Sequence, residues 1–350
     1  MNAPVQTIAA APALGAAPTI SALVPAFRAA HLLPRVLAPL IALRDAGEIS
    51  EVIVIDDVSP DDTAAVAEGL GARVIRSERN GGPGAARNLG ARIAIGDILW
   101  MIDSDVIPEA DGPRHIRAAF AEPGVRAVFG SYDQLPDGTP WFSRYKNLTH
   151  RYYHQLARRE ASTFWAGCGA IDREFYLKIG GFDAETYRVP SVEDIELGYR
   201  IRRHGGRILL IREFHGKHLK VWTIPNAIHT DIFRRALPWA RLMITQEGVP
   251  DDLNTSWSER VKALVALVLL LALLAAPLFP AAGLVALAAA ALALALNWDF
   301  TRYLYRHGGL GIAVGGLIYH QFYYIYSATV FVWCLFEYHV LRRRTLRTVS

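Results

Sequence analysis

The sequence predicts an α/β fold with a mixed, mainly parallel sheet flanked by helices, followed by an apolar C-terminal region. Between Thr19 and about Gly130, short β-branched runs alternate with helical stretches, a pattern typical of βαβ units. Beyond them, the 34 residues from Ala263 to Leu296 carry no formal charge. Leu310 to Phe336 forms a further apolar stretch that is rich in aromatic residues.

Residues that typically begin or end helices define the elements of the first region. A helix over Leu33–Ala46 is closed by Gly47, and a helix over Gly84–Ile95 is stopped at Gly96. Ser59-Pro60-Asp61-Asp62 combines an N-cap residue, a first-turn proline and an acid, which indicates a helix start. The predicted strands are Ile20–Val24, Val52–Ile55, Arg73–Ile75, Ile98–Ile102 and Arg126–Phe129.

Composition excludes several classes of protein. The chain has 350 residues, a net charge of +4, 52% hydrophobic residues and a positive mean hydropathy of +0.19. These values exclude disorder, and two cysteines exclude a disulfide scaffold or a cysteine metal site. The small net charge does not predict nucleic-acid binding, whereas basic residues next to apolar segments favour a membrane surface.

The C-terminal half predicts membrane attachment. Ile228–Gln246 mixes arginines with large apolar residues, which suits a helix in the lipid headgroup layer; an amphipathic core helix is the alternative. Pro277–Pro280 interrupts the uncharged run, so two short helices in a hairpin are expected. The basic tail, the loop with Arg302 and Arg306, and the end at Arg260–Lys262 cannot all be cytoplasmic with three full spans. His320 and Gln321 are polar residues within the last apolar stretch, either functional or hydrogen-bonded to a neighbouring helix.

The domain organisation follows from these shifts in composition. We expect a disordered tail over 1–18, a catalytic domain over 19–225 and juxtamembrane interfacial helices over 226–260. A transmembrane region of two to three apolar segments covers 261–340, and a basic tail covers 341–350. The expected location is the inner cell membrane, multi-pass, with the catalytic domain in the cytoplasm.

Acidic residues or a glycine-rich loop follow three of the predicted strands. Asp103-Ser104-Asp105 comes directly after a buried strand, where two carboxylates share one face and suit Mg²⁺ or Mn²⁺ bound to phosphates. Asp56 and Asp57 end the second strand. The loop from Asn80 to Asn88, with Gly84 and Arg87, opens a helix whose free N–H groups favour an anion. All three strand ends are expected at one edge of the sheet.

The order of these motifs resembles the inverting family 2 glycosyltransferases of the GT-A fold. The resemblance spans roughly residues 19 to 222 and continues through Gly167–Ala170, Gly180–Asp183 and Glu193–Arg200. It implies that Pro25, Asp56 and Asp57 bind the nucleotide base and ribose of a donor of the UDP or GDP type. It implies that Asp103 and Asp105 hold the metal on the sugar diphosphate. It also implies that Asp194 is the catalytic base, although Ser191-x-x-Asp194 is equally a capping box.

The chain departs from the family pattern at several positions. Val58 replaces a glycine, and Phe27-Arg28-Ala29 replaces an aromatic-Asn-Glu sequence. Where membrane members show QxxRW, this chain has His218-Leu219-Lys220-Val221-Trp222. Lys220 and Trp222 are then expected at the diphosphate, while His218 either matches the Gln or serves as a third metal ligand.

The expected function is a membrane-bound inverting glycosyltransferase that moves a sugar from a nucleotide-diphosphate-sugar to a lipid-borne acceptor, with polyprenyl phosphate favoured. A glycolipid or polysaccharide acceptor is the alternative. A non-catalytic nucleotide-binding membrane protein is the rival from another class, and the acid pair opposite a metal site counts against it.

Overall fold

The computed structural model describes residues 17–134, 140–247 and 256–343. Most of the tail predicted over 1–18 and most of the basic tail predicted over 341–350 lie outside these ranges. The described strands are β1 (Ile20–Ala26), β2 (Glu51–Asp56), β3 (Arg73–Arg76), β4 (Ile98–Ile102), β5 (Val106–Pro108), β6 (Val125–Tyr132), β7 (Cys168–Asp172) and β8 (Arg207–His218). The described helices are α1 (Leu33–Asp45), α2 (Thr63–Gly69), α3 (Gly82–Ile93), α4 (Gly112–Phe120), α5 (Trp141–Leu156), α6 (Arg173–Lys178), α7 (Glu193–Arg203), α8 (Ile224–His229), α9 (Leu237–Leu242), α10 (Trp257–Ala275), α11 (Pro280–Leu296), α12 (Trp298–Gly308) and α13 (Leu310–His339).

The strands form one mixed sheet in the order β3-β2-β1-β4-β7-β6-β8-β5. β1 to β4 pair in parallel, as do β6 and β8, whereas β7 runs antiparallel to both of its neighbours. β1 and β4 are fully buried because helices cover both faces of the sheet. The five predicted strands and the mixed, mainly parallel sheet are therefore confirmed.

The helix predicted to start at Ser59 begins later, at Thr63. The backbone N–H of Ser59 donates to Asp56 Oδ1 (3.1 Å), and Val58 adopts a left-handed conformation with φ of 63°. The hydroxyl of Thr63 accepts from the backbone N–H of Ala29 (2.8 Å), which ties the start of α2 to the end of β1. A tight turn thus occupies the predicted first helical turn.

A continuous helical segment follows the sheet and leads to the C-terminal helices. In it, α8 and α9 alternate with two π-helical stretches, Thr230–Ala236 and Met243–Glu247. This segment packs on α13, where Arg241 forms an ion pair with the buried Glu337 (2.9 Å). The prediction of a helix here is confirmed, and one face of it is buried against α13.

The predicted hairpin is present as α10 and α11, which are separated by residues 276–279. The stretch with Arg302 and Arg306, predicted as a loop, is the helix α12, because its leucine and aromatic residues bury one face. Among the described helices, none alone is both long and apolar enough to cross a bilayer; only α11 and α12, bent by 66°, would qualify as a pair. Large apolar side chains are nevertheless exposed along α10, α11 and the connection between them, among them Leu264, Leu274, Leu278, Leu284 and Leu287.

His320 of α13 is buried and joins α13 to α5. Its Nδ1 lies 2.8 Å from the hydroxyl of Tyr145, and its Nε2 lies 3.1 Å from that of Tyr153. The Tyr153 hydroxyl donates to Glu259 of α10 (2.8 Å), so Tyr153 accepts from Nε2–H and Tyr145 donates to Nδ1. His320 is therefore hydrogen-bonded to a neighbouring helix, one of the two roles expected from the sequence.

Candidate active site

The strand ends at one edge of the sheet open into a single cavity of about 1260 Å³. Pro25 of β1, Asp57 after β2, and Asp103 and Asp105 after β4 all line it. Asp194, in the first turn of α7, lines the same cavity. Acidic groups that are far apart in the sequence thus face one space, as the parallel strand order requires.

Asp57 fixes the glycine-rich loop at the mouth of this cavity. Its two carboxylate oxygens accept from the backbone N–H groups of Gly81 (3.0 Å) and Gly82 (2.8 Å). Gly82 has a φ of +81°, and a Cβ there would lie 2.3 Å from the carbonyl oxygen of Arg188. Only glycine therefore fits this turn, and the carboxylate of Asp57 is committed to the loop.

Arg87 of α3 is almost fully buried and forms an ion pair with Asp103. Its guanidinium also lies over the ring of Phe182, 5.4 Å from the centroid, while its Nε is buried without a hydrogen-bond partner. Burial raises the pKa of Asp103, although the Arg87 charge acts against that shift. Arg87 therefore places positive charge beside the first acid of the DxD sequence.

Asp105 faces His218 across the β5–β8 edge, with Oδ2 and Nε2 3.7 Å apart. The backbone N–H of Leu219 donates to the carbonyl of Asp105 (2.8 Å), which fixes the two residues side by side. The His218 ring stacks on Tyr132, with centroids 4.3 Å apart. Although burial acts in the opposite direction, the imidazole of His218 and the ammonium of Lys220 hold the pKa of Asp105 below its usual range.

The donor set at this place fits a divalent cation in chemical type. One carboxylate and one imidazole are adjacent, and the second predicted carboxylate, Asp103, is paired with Arg87. Within the described ranges, no group of three or more His, Cys, Asp or Glu side chains is arranged to hold a metal ion. Two of the three predicted ligands therefore lie together, and the third is engaged by an arginine.

Asp194 and Glu193 form a pair of acids in the first turn of α7, which lines the cavity. Burial raises the pKa of Asp194 to about 6 and that of Glu193 to about 7, with the Arg87 charge acting against both shifts. The Glu193 carboxylate accepts from the backbone N–H of Ser191 (2.7 Å). Carboxyl groups with pKa values near neutrality suit proton transfer.

The capping box that the sequence allowed at Ser191 and Asp194 is absent from the structure. The hydroxyl of Ser191 donates to the carbonyl of Arg234 (3.1 Å), and no side chain caps the start of α7. Asp194 Oδ1 instead accepts from the next backbone N–H, that of Ile195 (2.8 Å). Asp194 is therefore not required as a partner of Ser191.

Lys220 and Trp222 line the cavity directly after β8. The Lys220 ammonium lies 4.2 Å from the centroid of the Trp222 ring. Burial lowers the pKa of Lys220, while Asp105 and Asp103 act in the other direction. Lys220 thus lies within electrostatic range of both acids of the DxD sequence.

Two predicted site residues do not belong to the lining of the cavity. Asp56 is buried and bonded to Ser59, and Gly84 packs under Phe182, where a Cβ would lie 3.2 Å from the Phe182 Cβ. Lining residues that the sequence did not single out as site residues include Glu193, Lys146 and Arg235. Glu193 adjoins Asp194 in the sequence, which was the available signal, whereas nothing in the sequence brings Lys146 of α5 to this edge.

Residues 21–180 match the family model described as glycosyl transferase family 2. This segment, slightly less than half of the chain, is similar to family 2 glycosyltransferases. A relative, validoxylamine A glucosyltransferase of Streptomyces hygroscopicus subsp. jinggangensis, is 29% identical over 233 residues, covering 57% of this chain and 55% of the relative. The succinoglycan biosynthesis protein ExoO of Rhizobium meliloti is 36% identical over 97 residues, covering 27% of each protein. The chain spans about half the length of the glucosyltransferases that it matches.

The likeness in structure extends beyond residues 21–180. A mannosyltransferase of Pyrobaculum calidifontis, solved with GDP-Man and Mn²⁺, aligns with a TM-score of 0.56 at 20% identity. The alignment covers 90% of this chain and 87% of the mannosyltransferase. At 20% identity this likeness concerns the fold alone, and it confirms the predicted GT-A-type architecture. The match over residues 21–180 agrees with the family that the motifs resemble.

Proposed function

We propose that the protein transfers a sugar, with inversion, from a nucleotide-diphosphate-sugar to a lipid-borne acceptor at a membrane, with polyprenyl phosphate favoured. One observation carries the proposal. The cavity at the sheet edge is continuous with a space walled by Leu264 and Leu267 of α10 and by Phe331 and Val332 of α13. A polar donor and an apolar chain would therefore meet in one cavity.

Attachment to a membrane is part of the proposal. Exposed leucines cover much of α10 and α11, and contiguous apolar patches of this kind mark membrane or protein contact sites. At ~1.5 Å per residue, α10 and α11 are about 28 and 25 Å long, and the charged residues Glu259, Arg260 and Lys262 shorten the apolar part of α10, so each helix alone falls short of a ~30 Å hydrocarbon core. The hairpin would enter the bilayer and hold the catalytic domain at its cytoplasmic surface.

The donor would lie along the sheet edge. Pro25 and the loop held by Asp57 border the nucleotide, and Asp103, Asp105 and His218 would hold Mg²⁺ or Mn²⁺. Such an ion, when bound, neutralises charge that builds on the departing diphosphate. Arg87 and Lys220 add positive charge at the same place; Arg87 is buried, whereas Lys220 is exposed. The related mannosyltransferase structure with GDP-Man and Mn²⁺ supports this assignment.

The transfer forms a bond between the acceptor oxygen and the anomeric carbon while the bond to the diphosphate breaks. An ionised phosphate acceptor attacks without giving up a proton, so Asp194 then orients the acceptor. A hydroxyl acceptor must lose its proton, and Asp194 would take it as general base. The pKa of about 6 at Asp194 favours this second candidate, a glycolipid or saccharide hydroxyl.

Membranes with the full chain, incubated with radiolabelled nucleotide sugars and extracted with organic solvent, test the proposal. We expect label in the organic phase with the wild type and none with Asp105→Asn. Asp45→Asn is the matched control, because Asp45 is exposed on α1 and away from the cavity. Label that appears only in water-soluble glycan would contradict a lipid acceptor.

Asp194→Asn separates the two acceptor classes. With a hydroxyl acceptor, we expect a loss of at least a hundredfold in kcat, since general base catalysis contributes about 10²–10⁴-fold. We also expect kcat/KM of the wild type to rise with pH through about 6. With an ionised phosphate acceptor, Asp194→Asn should retain much of its turnover.

A further inference from the structure

Three cationic side chains surround the buried ring of Trp222. Lys220 Nζ lies 4.2 Å, Lys146 Nζ 5.5 Å and Arg235 Cζ 5.9 Å from its centroid. They come from three separate parts of the chain: the end of β8, α5 and the π-helical stretch after α8. All three line the cavity. We call Lys146, Arg235 and Trp222 the cationic subsite.

One buried carboxylate lies within this group. Asp231 forms an ion pair with Lys146 (2.8 Å) and a longer one with Arg235 (3.6 Å). The Tyr326 hydroxyl of α13 donates to the same carboxylate (2.9 Å). Two cations thus share a single acid, so the subsite keeps an excess of positive charge toward the cavity.

The cluster has a donor side and a helix side. Lys220 lies within electrostatic range of Asp103 and Asp105, which places it next to the donor groups. Lys146 and Arg235 are paired with Asp231, which contacts Tyr326 of α13, and the charge of Arg235 also acts on Lys220. From there the cavity continues between α10 and α13, along Leu264, Leu267 and Phe331. The positive charges of Lys146 and Arg235 therefore lie where the polar part of the cavity meets its apolar part.

This juxtaposition matches an amphiphile with an anionic head and an apolar chain. A neutral hydroxyl head would not neutralise the excess positive charge of the subsite, whereas a phosphate would accept hydrogen bonds from both cations. The lone acid, Asp231, holds the two cations in place when no anion is bound. A phosphate that enters must share Lys146 and Arg235 with it.

We propose that Lys146, Arg235 and the ring of Trp222 form a phosphate-binding subsite for the acceptor, separate from the groups that hold the donor diphosphate. The ligand class is a monophosphate ester of an apolar chain. The inference rests on the proposed function only in calling this ligand the acceptor. Its decisive consequence concerns binding, which is measured without sugar transfer.

The test uses the full chain in nanodiscs of phosphatidylcholine, with isothermal titration and empty nanodiscs as the blank. The probes are citronellyl phosphate, citronellol and inorganic phosphate. We expect the wild type to bind citronellyl phosphate at least tenfold more tightly than either citronellol or inorganic phosphate. Equal affinity for inorganic phosphate would identify a free-phosphate site and overturn the proposal, as would equal affinity for citronellol.

Arg235→Gln and Lys146→Gln identify the binding groups. Each should weaken citronellyl phosphate at least tenfold while binding of a nucleoside diphosphate with Mn²⁺ stays within twofold. Arg235 is half exposed, so its replacement keeps the fold even if loss of the buried Lys146 does not. Arg302→Gln, on the exposed face of α12 and outside the cavity, is the matched control for loss of one membrane-proximal charge.

Asp231→Asn makes the sharpest distinction. It keeps an acceptor for Tyr326 and removes the internal negative charge, so we expect citronellyl phosphate to bind at least threefold more tightly. Unchanged or weaker binding in Asp231→Asn together with wild-type binding in Arg235→Gln would overturn the subsite. An equal loss of nucleotide binding in Arg235→Gln would assign the cluster to the donor and overturn it as well.

The two proposals fail separately. If the wild type binds citronellyl phosphate through these residues but transfers no sugar to it, the subsite stands and the acceptor assignment fails. If sugar is transferred and Arg235→Gln binds and transfers like the wild type, the function stands and the subsite fails.

Discussion

The guanidinium of Arg87 pairs with the carboxylate of Asp103, a residue that is 16 positions further along the chain. The pair joins the first helix after the glycine-rich loop to the end of β4. The charge of Arg87 also acts on Glu193 and Asp194 across the cavity. One buried cation therefore faces both acidic motifs.

Arg87→Lys is expected to lower kcat/KM for the donor at least tenfold. A lysine keeps the charge, but it cannot reproduce the planar guanidinium that lies over Phe182 and reaches Asp103. Arg92→Lys, exposed on the same helix, is the control and should leave kcat/KM unchanged. Wild-type kinetics in Arg87→Lys would show that charge alone suffices.

Metal binding should depend on Asp105 and His218 together. We expect chelation to abolish transfer and added Mn²⁺ to restore it. The two groups are 3.7 Å apart, so they can bind one ion together. Electron paramagnetic resonance of bound Mn²⁺ should show at least tenfold weaker binding in Asp105→Asn and a smaller loss in His218→Ala. His204→Ala, on an exposed histidine, is the control. Unchanged Mn²⁺ affinity in His218→Ala would leave the carboxylates as the ligands.

The acid pair on α7 should make the folded state less stable at alkaline pH. The pKa of Glu193 is raised to about 7 and that of Asp194 to about 6, so the folded state holds their protons more tightly than the unfolded chain. Their stabilisation is complete below about pH 4, near the unfolded pKa values, and is lost as pH rises through 6 to 7. Glu193→Gln should therefore raise the apparent Tm at pH 8 and leave it nearly unchanged at pH 4.

Glu196→Gln on the same helix is the matched comparison for that experiment. Glu196 is paired with Arg200 (2.6 Å), so its neutralisation should lower the Tm at pH 8. A fall in Tm at pH 8 in Glu193→Gln as well would contradict the sign of the shift at Glu193.

Val58 is expected to store backbone strain. It is β-branched, has a φ of 63° and stands where the family pattern has glycine. Its side chain is 47% exposed, so little packing is lost on truncation. Val58→Gly should stabilise the fold by about 1 kcal/mol, measured by thermal unfolding, whereas Val58→Ala keeps the strain and should not.

Local patterns in the sequence were enough for the first half of the sheet. The run Ile98–Ile102 is β4 to the residue, because continuous apolar letters bounded by Gly96 and Asp103 define a buried strand. Parallel order then brings Asp57, Asp103 and Asp105 to one edge. The breaker Pro277–Pro280 correctly divided the apolar run into α10 and α11.

Long-range pairings were beyond the same reasoning. β7 inserts antiparallel between β4 and β6, and its short sequence, Cys168–Asp172, has no periodicity that announces a strand. Lys146 reaches the cavity because α5 packs against α13 through the bonds of Tyr145 and Tyr153 to His320. Such contacts join residues more than 160 positions apart, and no local signal encodes them.

The connection between β8 and α8 consists of residues 219–223 alone. Five residues reach at most about 18 Å when fully extended, so His218 and the helix that follows have little slack between them. A short link therefore joins the candidate metal site at His218 to the helical segment that packs on α13. An insertion of flexible residues here would lengthen that link, while the Lys146–Asp231 ion pair and the bonds of Tyr145 and Tyr153 to His320 would still join the two parts.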